Sequence, residues 1–111
     1  MENELRIGNL IKRNGIVVTV DHQTFYDVIR YPEQYERIPL TKEWLDKLSF
    51  VYSYFEGYSY SINLIEYHYS IDYNIPNGLF STNIKIAYKL EYVHQIQNLY
   101  FSIKGKELTT K

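Results

Sequence analysis

The 111-residue chain contains no cysteine, which excludes disulfides, thiolate chemistry and cysteine-ligated zinc sites. Its 12 lysines and arginines nearly balance its 13 aspartates and glutamates, so no net field draws it toward nucleic acid or anionic lipid. No apolar run reaches the roughly 18 residues of a membrane span, and the N-terminus lacks the plan of a signal peptide. We therefore predict a single cytoplasmic domain over residues 1–111.

Catalytic motifs are also missing from the sequence. It has no GxSxG elbow, no GxGxxG or GxxxxGK phosphate loop and no HExxH pair. Glu66 and His68 share one face of a predicted strand and could bind a metal with help from His94, but two ligands do not make a metal site, and no HExxH or HxH pair is present. The sequence therefore predicts a protein that is not an enzyme and that holds no metal or other cofactor.

The pattern of residues 8–31 predicts β-strands. In "NLIKRNGIVVTVD" the pair Asn14-Gly15 separates two apolar runs and readily adopts the positive φ angles of a type I′ turn, which predicts a hairpin over about residues 8–21. The aromatic and β-branched residues of "TFYDVIRY", residues 24–31, predict a third strand. Together they predict a small meander with a barrel-like character.

Two segments show helical spacing. Trp44, Leu45 and Leu48 follow Thr41, a plausible N-cap, and predict a short helix over about residues 42–49. The C-terminal segment predicts a second helix, which ends at Gly105 and packs one apolar stripe on a sheet. The stripe consists of Val93, Ile96, Leu99, Tyr100 and Ile103.

Between these helices lies a tyrosine-rich region that begins with "YSYFEGYSYSINLIEYHYSIDY", residues 52–73. Its tyrosines and aliphatic residues occupy even positions up to Leu64 and odd positions from Ile65 onward. This change of parity predicts two strands with a break near residues 61–65, and a bend is expected at Glu56-Gly57. A turn at residues 74–78 and a third strand over residues 81–92 are expected to follow. The predicted class is α+β, with an antiparallel tyrosine-rich sheet.

The tyrosine-rich region also carries the main functional hypothesis. No lysine or arginine lies between Leu48 and Ile84, so this surface cannot neutralise phosphates by itself. Tyrosine mixed with serine, asparagine and glycine is typical of protein-binding surfaces. We expect most of the rings inside the sheet and an exposed, partner-binding minority. The candidate residues are Tyr52, Tyr54, Tyr58 and Tyr60.

A nucleic-acid-binding role is the alternative. In that hypothesis the N-terminal strands form an SH3-like or OB-like sheet on which aromatic rings stack with bases. The candidate phosphate ligands are Lys12, Arg13, Lys85 and Lys89.

Three segments resemble a family of small uncharacterised proteins from Bacteroidetes genomes, their phages and mobile elements. They are "ELRIGNLI" at 4–11, "IPLTKEWLDKLSF" at 38–50 and "YVHQIQNLYFSIKGKELT" at 92–109. The resemblance implies a cytoplasmic accessory protein, often carried by phage, and supplies no catalytic residues. By analogy with other small phage proteins, it implies stoichiometric binding of a protein partner, including anti-CRISPR-like inhibition of a host-defence nuclease such as a CRISPR effector.

Overall fold

A computed structural model describes residues 2–53, 59–65, 69–74, 79–82 and 87–110. These residues form eight β-strands and three α-helices, so the predicted α+β class is confirmed. The strands are β1 (Leu10–Arg13), β2 (Ile16–Thr19), β3 (Tyr35–Glu36), β4 (Val51–Ser53), β5 (Ser59–Ile65), β6 (Tyr69–Asn74), β7 (Leu79–Thr82) and β8 (Ala87–Tyr88). The helices are α1 (His22–Arg30), α2 (Lys42–Lys47) and α3 (Val93–Lys104).

The N-terminal hairpin is confirmed. Arg13 of β1 pairs with Ile16 of β2, and the two residues between them have positive φ angles, 48° at Asn14 and 82° at Gly15. This is the geometry of a type I′ turn, whose twist matches that of the strands. The short strand β3 pairs with the other edge of β1 and gives the order β2-β1-β3.

The predicted third strand over residues 24–31 is wrong, because this segment belongs to helix α1. The carboxylate of Asp21 accepts a hydrogen bond from the backbone N–H of Thr24 at 2.7 Å and caps the first turn. Phe25 and Val28, three residues apart, then turn one face of the helix toward the sheet. This spacing and the cap outweigh the β-propensity of the individual residues.

The second sheet contains strands β4 to β8 in sequence order, and each neighbouring pair is antiparallel. The register between β5 and β6 shifts between Asn63 and Ile65, so an irregularity in β5 accounts for the change of parity. An irregularity near residues 61–65 is thus present, but residues 59–65 form the single strand β5, so the prediction that one strand ends and the next begins within this range is wrong. The bend at Glu56-Gly57 and most of the predicted turn at 74–78 lie outside the described residues.

The single strand predicted over residues 81–92 is also wrong. Strands β7 and β8 pair antiparallel, with Phe80 opposite Tyr88, so the chain reverses direction between residues 82 and 87. The apolar alternation of the sequence continues through both strands, and alternation alone does not reveal a reversal.

Helix α2 forms where the sequence predicts it. The hydroxyl of Thr41 accepts a hydrogen bond from the backbone N–H of Trp44 at 3.3 Å, which confirms the N-cap. The helix ends at Lys47, slightly earlier than predicted. It buries Leu45 in the core that it shares with α3.

Helix α3 packs most of its predicted stripe inward, but Ile103 at the C-terminal end of the stripe is exposed. Val93 and Ile96 are fully buried, and Leu99 packs half-buried against the same core. The helix ends at Gly105, whose φ of 70° is left-handed and whose N–H donates to the carbonyl of Phe101. Helix α3 contacts both β1 and β5, so it lies where the two sheets approach each other.

The described side chains form two clusters of buried apolar residues. The larger contains Ile38, Leu45, Leu48, Phe50, Ile71, Phe80, Val93, Ile96 and Leu108. The smaller contains Ile11, Val20, Val28 and Tyr35, and joins α1 to the β2-β1-β3 sheet. Within the described part of the chain, no helix is long and apolar enough to cross a membrane.

Candidate partner-binding surface

The structure brings two of the four predicted partner-binding tyrosines together. Tyr52 of β4 and Tyr60 of β5 are directly opposite each other across the strand pair. Tyr54 and Tyr58 lie outside the described residues. Contact between these four tyrosines and a partner therefore stays a prediction.

The backbone register reveals an aromatic row that the sequence analysis missed. One residue from every strand of the second sheet belongs to it, and its members are Tyr52, Tyr60, Tyr73, Phe80 and Tyr88. Strand alternation assigns the row to the same sheet face as Ile71, and Ile71 and Phe80 are both buried.

The predicted phosphate-binding residues do not form a single described cluster. Lys12 and Arg13 are consecutive in β1 and belong to opposite faces of the strand. Lys89 lies just after β8, with its ammonium 3.7 Å from the carboxylate of Glu91. Lys85 lies outside the described residues.

The guanidinium of Arg13 interacts with side chains of helix α1 and of the chain around β3. Its Nη2 donates to Oε1 of Gln34 at 3.2 Å and lies 3.7 Å from Oδ2 of Asp27. Its guanidinium carbon also lies 5.8 Å from the centre of the Tyr35 ring. Part of its charge is therefore compensated within the molecule.

The clearest exposed apolar surface lies on helix α1. Tyr26 is 70% exposed and Ile29 is 48% exposed; three residues apart, they are neighbours on the helix surface outside the face that buries Val28. His22, exposed at the start of the helix, shares this side because it precedes Tyr26 by four residues. We call His22, Tyr26 and Ile29 the α1 face. The sequence pattern does not reveal this face, because it predicts a strand over residues 24–31.

A polar cleft of about 410 Å³ lies beside the sheet-facing side of α1. Its lining residues are Arg13, Asp21, Gln23, Thr24, Asp27 and Tyr35. The hydroxyl of Tyr35 donates a short hydrogen bond to Oδ2 of Asp27 at the floor of the cleft. The cleft thus offers carboxylate acceptors next to a guanidinium.

Two groups of the cleft have shifted pKa values. The backbone N–H of Thr24 donates to the Asp21 carboxylate and holds the pKa of that carboxyl below its usual value. Burial, together with the hydrogen bond to Asp27, raises the pKa of the Tyr35 hydroxyl. Asp21 therefore stays ionised and Tyr35 stays protonated near neutral pH.

His94 is the one buried histidine among the residues that the structure describes. Its Nε2 lies 3.3 Å from Oε1 of Glu4, yet neither ring nitrogen makes a well-angled hydrogen bond to a described residue. Arg37 donates to the same Glu4 oxygen from the outside. Burial lowers the pKa of His94, and the charge of Glu4 opposes this only in part, so the ring is neutral near pH 7.

No cluster of three or more His, Asp or Glu side chains in the described ranges is placed to hold a metal ion. Glu66 and His68 lie outside those ranges. The α1 face and the polar cleft beside it are the candidate contact surfaces among the described residues. Comparison of the chain with protein-family models, curated proteins and solved structures finds no match in any of the three.

Proposed function

We propose that this protein is a non-catalytic binding module that acts by stoichiometric binding of a protein partner, with the α1 face at the contact. The observation that supports the proposal is the exposure of Tyr26 and Ile29 on the solvent side of a helix that already buries its other side. Phe25 and Val28 supply the packing that α1 needs. Tyr26 and Ile29 add apolar surface that the fold does not use.

The residue types fit a protein contact. Tyrosine supplies a large, rigid ring and a polar hydroxyl, and it is enriched among the residues that dominate binding energies. The polar cleft on the flank of α1 supplies hydrogen-bond acceptors for the rim of such an interface. The tyrosines at 52, 54, 58 and 60 remain a second proposed contact.

A host-defence nuclease such as a CRISPR effector is the proposed partner class, by analogy with other small phage-encoded binding proteins. The proposed setting is the bacterial cytoplasm, where a phage-encoded inhibitor meets such an enzyme. A nucleic-acid partner is less favoured, because Arg13 is partly compensated by Asp27 and Lys89 lies close to Glu91.

The test begins with affinity capture from a bacterial host lysate and identification of the bound protein. The dissociation constant of the purified pair is then measured for Tyr26→Ala, Ile29→Ala and the double variant. We expect a loss of at least about tenfold for the double variant and a melting temperature within about 3 °C of the parent. Val51→Ala is the matched control, since Val51 is equally exposed on β4.

Two results would contradict the proposal. In the first, the double variant binds the partner as tightly as the parent does, while Tyr52→Ala or Tyr60→Ala weakens binding without unfolding; this would move the contact to the second sheet. In the second, the chain binds single-stranded DNA or RNA with an affinity that falls steeply with salt and depends on Lys12 and Arg13. That result would favour the nucleic-acid alternative.

A further inference from the structure

Strand β2 is an edge strand with free backbone groups. Arg13 and Ile16 close the two-residue turn as a hydrogen-bonded pair, so Ile16 and Val18 direct their N–H and C=O groups toward β1. The N–H and C=O groups of Val17 and Thr19 therefore point away from β1. Among the described residues, no strand pairs with this outer edge.

The outer edge lacks the usual protection against pairing. Natural edge strands are blunted by lysine, proline or a bulge, whereas β2 reads Ile-Val-Val-Thr and keeps a regular register with β1. Ile16 is 68% exposed and Val17 is 41% exposed. The strand thus combines high β-propensity, exposed apolar side chains and no charge.

We propose that β2 pairs antiparallel with β2 of a second copy of this chain, about a two-fold axis at Val18. In this register Val17 of each copy is opposite Thr19 of the other copy. The two residues of each pair then form both N–H to C=O hydrogen bonds with each other. The two β2-β1-β3 sheets then join into one continuous sheet. The contact is isologous, as in most symmetric dimers.

A second copy is the occupant that the edge itself specifies. The same two residues, Val17 and Thr19, point outward on both copies, so self-pairing satisfies every outward group of the strand. Strand β2 contains no charged residue, so the pairing of two copies buries no charge. The formal charge of −1 per chain adds little repulsion between the copies.

The expected dimer is weak, because a four-residue edge lies at the small end of protein interfaces. Association therefore depends on protein concentration. The residues of the α1 face take no part in the pairing. This proposal thus stands or fails separately from the proposed function.

The absence of cysteine allows a direct test by single-cysteine variants. In the Val18→Cys variant the new thiol is opposite the same thiol of the second copy, in a non-hydrogen-bonded pair. The Cα atoms of such a pair lie about 4.5 Å apart, which is within the range of a disulfide. We expect mild oxidation to convert most of this variant into a covalent dimer. Ile29→Cys, on α1, is the control and is expected to stay largely monomeric.

Sedimentation velocity gives the second measurement. The parent is expected to shift from monomer toward dimer between about 10 and 500 µM, and Val17→Lys to weaken this association at least about tenfold. Val51→Lys adds the same charge to β4, an edge of the other sheet, and is expected to leave association unchanged. Circular dichroism checks that each variant is folded.

Three results would overturn the dimer proposal. The first is a parent that stays monomeric across the whole concentration range. The second is a dimer that persists in folded Val17→Lys or is lost in Val51→Lys. The third is a Val18→Cys variant that crosslinks no faster than Ile29→Cys.

Discussion

The side-chain oxygen of Gln97 accepts a hydrogen bond from the backbone N–H of Leu10, with 2.8 Å between Oε1 and N. Gln97 is 1% exposed, and its Nε2 donates to the carbonyls of Gly8 and Leu108 at 3.4 and 3.3 Å. One side chain of α3 thus joins the segment before β1, β1 itself and the segment after α3. The amide needs both its acceptor and its donor to do so.

Replacement of Gln97 by glutamate is predicted to destabilise the fold by about 3 to 5 kcal/mol. The carboxylate still accepts from Leu10, but its second oxygen faces the carbonyls of Gly8 and Leu108 with no proton to donate. Gln95→Glu is the matched control on the same helix, because Gln95 only accepts, from the N–H groups of Glu91 and Tyr92. Its expected cost in a urea titration is below about 0.5 kcal/mol. Equal costs for the two variants would contradict the assignment.

Alanine substitutions along α3 are predicted to follow burial. Ile96→Ala should cost about 2 to 5 kcal/mol, because Ile96 is fully buried in the larger core. Leu99→Ala should cost about 2 kcal/mol, since that side chain keeps partial contact with water. Ile103→Ala, at the exposed end of the stripe, should cost less than about 1 kcal/mol. Denaturant unfolding tests this order, and a larger loss at Ile103 than at Ile96 would reject the packing of α3.

Gly8→Ala is predicted to be more destabilising than Gly15→Ala, although both glycines have positive φ angles. A Cβ at Gly8 would lie 2.5 Å from Oε2 of Glu107, which Arg6 holds through two hydrogen bonds of 2.8 and 2.9 Å. We expect a cost of about 2 to 3 kcal/mol at Gly8 and about 1 kcal/mol at Gly15, where nothing lies within 4 Å of the new Cβ. In a double-mutant cycle, Glu107→Ala should lessen the cost of Gly8→Ala; additive losses would show that the close approach is unimportant.

Stability is predicted to fall as the pH drops below about 6.5, because burial lowers the pKa of His94 in the folded chain. Below that pH the unfolded chain binds a proton that the folded chain does not, until the pH passes the lowered pKa. The slope from this group is at most about 1.4 kcal/mol per pH unit. Unfolding free energies measured between pH 7.5 and 5 should therefore decline less in His94→Leu than in the parent. An identical decline in both would contradict the burial of a neutral ring.

Glu4, which lies beside His94, titrates in a lower pH range than His94 does. The hydrogen bond from Arg37 lowers the pKa of Glu4. The stability that the Glu4–Arg37 pair contributes is therefore lost only as the pH falls below about 4.5. Measurements above pH 5 consequently report on His94 with little contribution from Glu4.

Elements with a strong local signal were predictable from sequence. The Asn14-Gly15 pair tolerates the positive φ angles of the first turn, Thr41 caps α2, and Gly105 ends α3 in a left-handed conformation. In each case the decisive interaction lies within a few residues along the chain. The change of parity before Ile65 was readable for the same reason, since an irregular register in one strand shifts its own alternation.

Elements that depend on distant contacts were not predictable. Phe25 and Val28 suit a strand as well as a helix, and their packing against Ile11 and Val20, together with the Asp21 cap, selects the helix. The alternation after Leu79 is equally compatible with one strand or two, and the pairing of Phe80 with Tyr88 decides for two.

The candidate site shows the same division. The sequence predicts a protein-binding surface among the tyrosines from composition, which reports the residue types that are present and not their burial; this location stays a prediction. The exposure of Tyr26 and Ile29 depends on which side of α1 meets the sheet, and that is a property of the packed molecule.

By itself, the sequence determined the α+β class, the hairpin turn, the helix caps and the apolar stripe of α3, because these follow from backbone preferences and short-range spacing. Only the tertiary structure decided the helical state of residues 22–30, the aromatic row across the second sheet, the open edge of β2 and the burial of His94 and Gln97. The physical reason is that strand register and burial are set by contacts between segments far apart in the chain, whose free energies no local pattern contains.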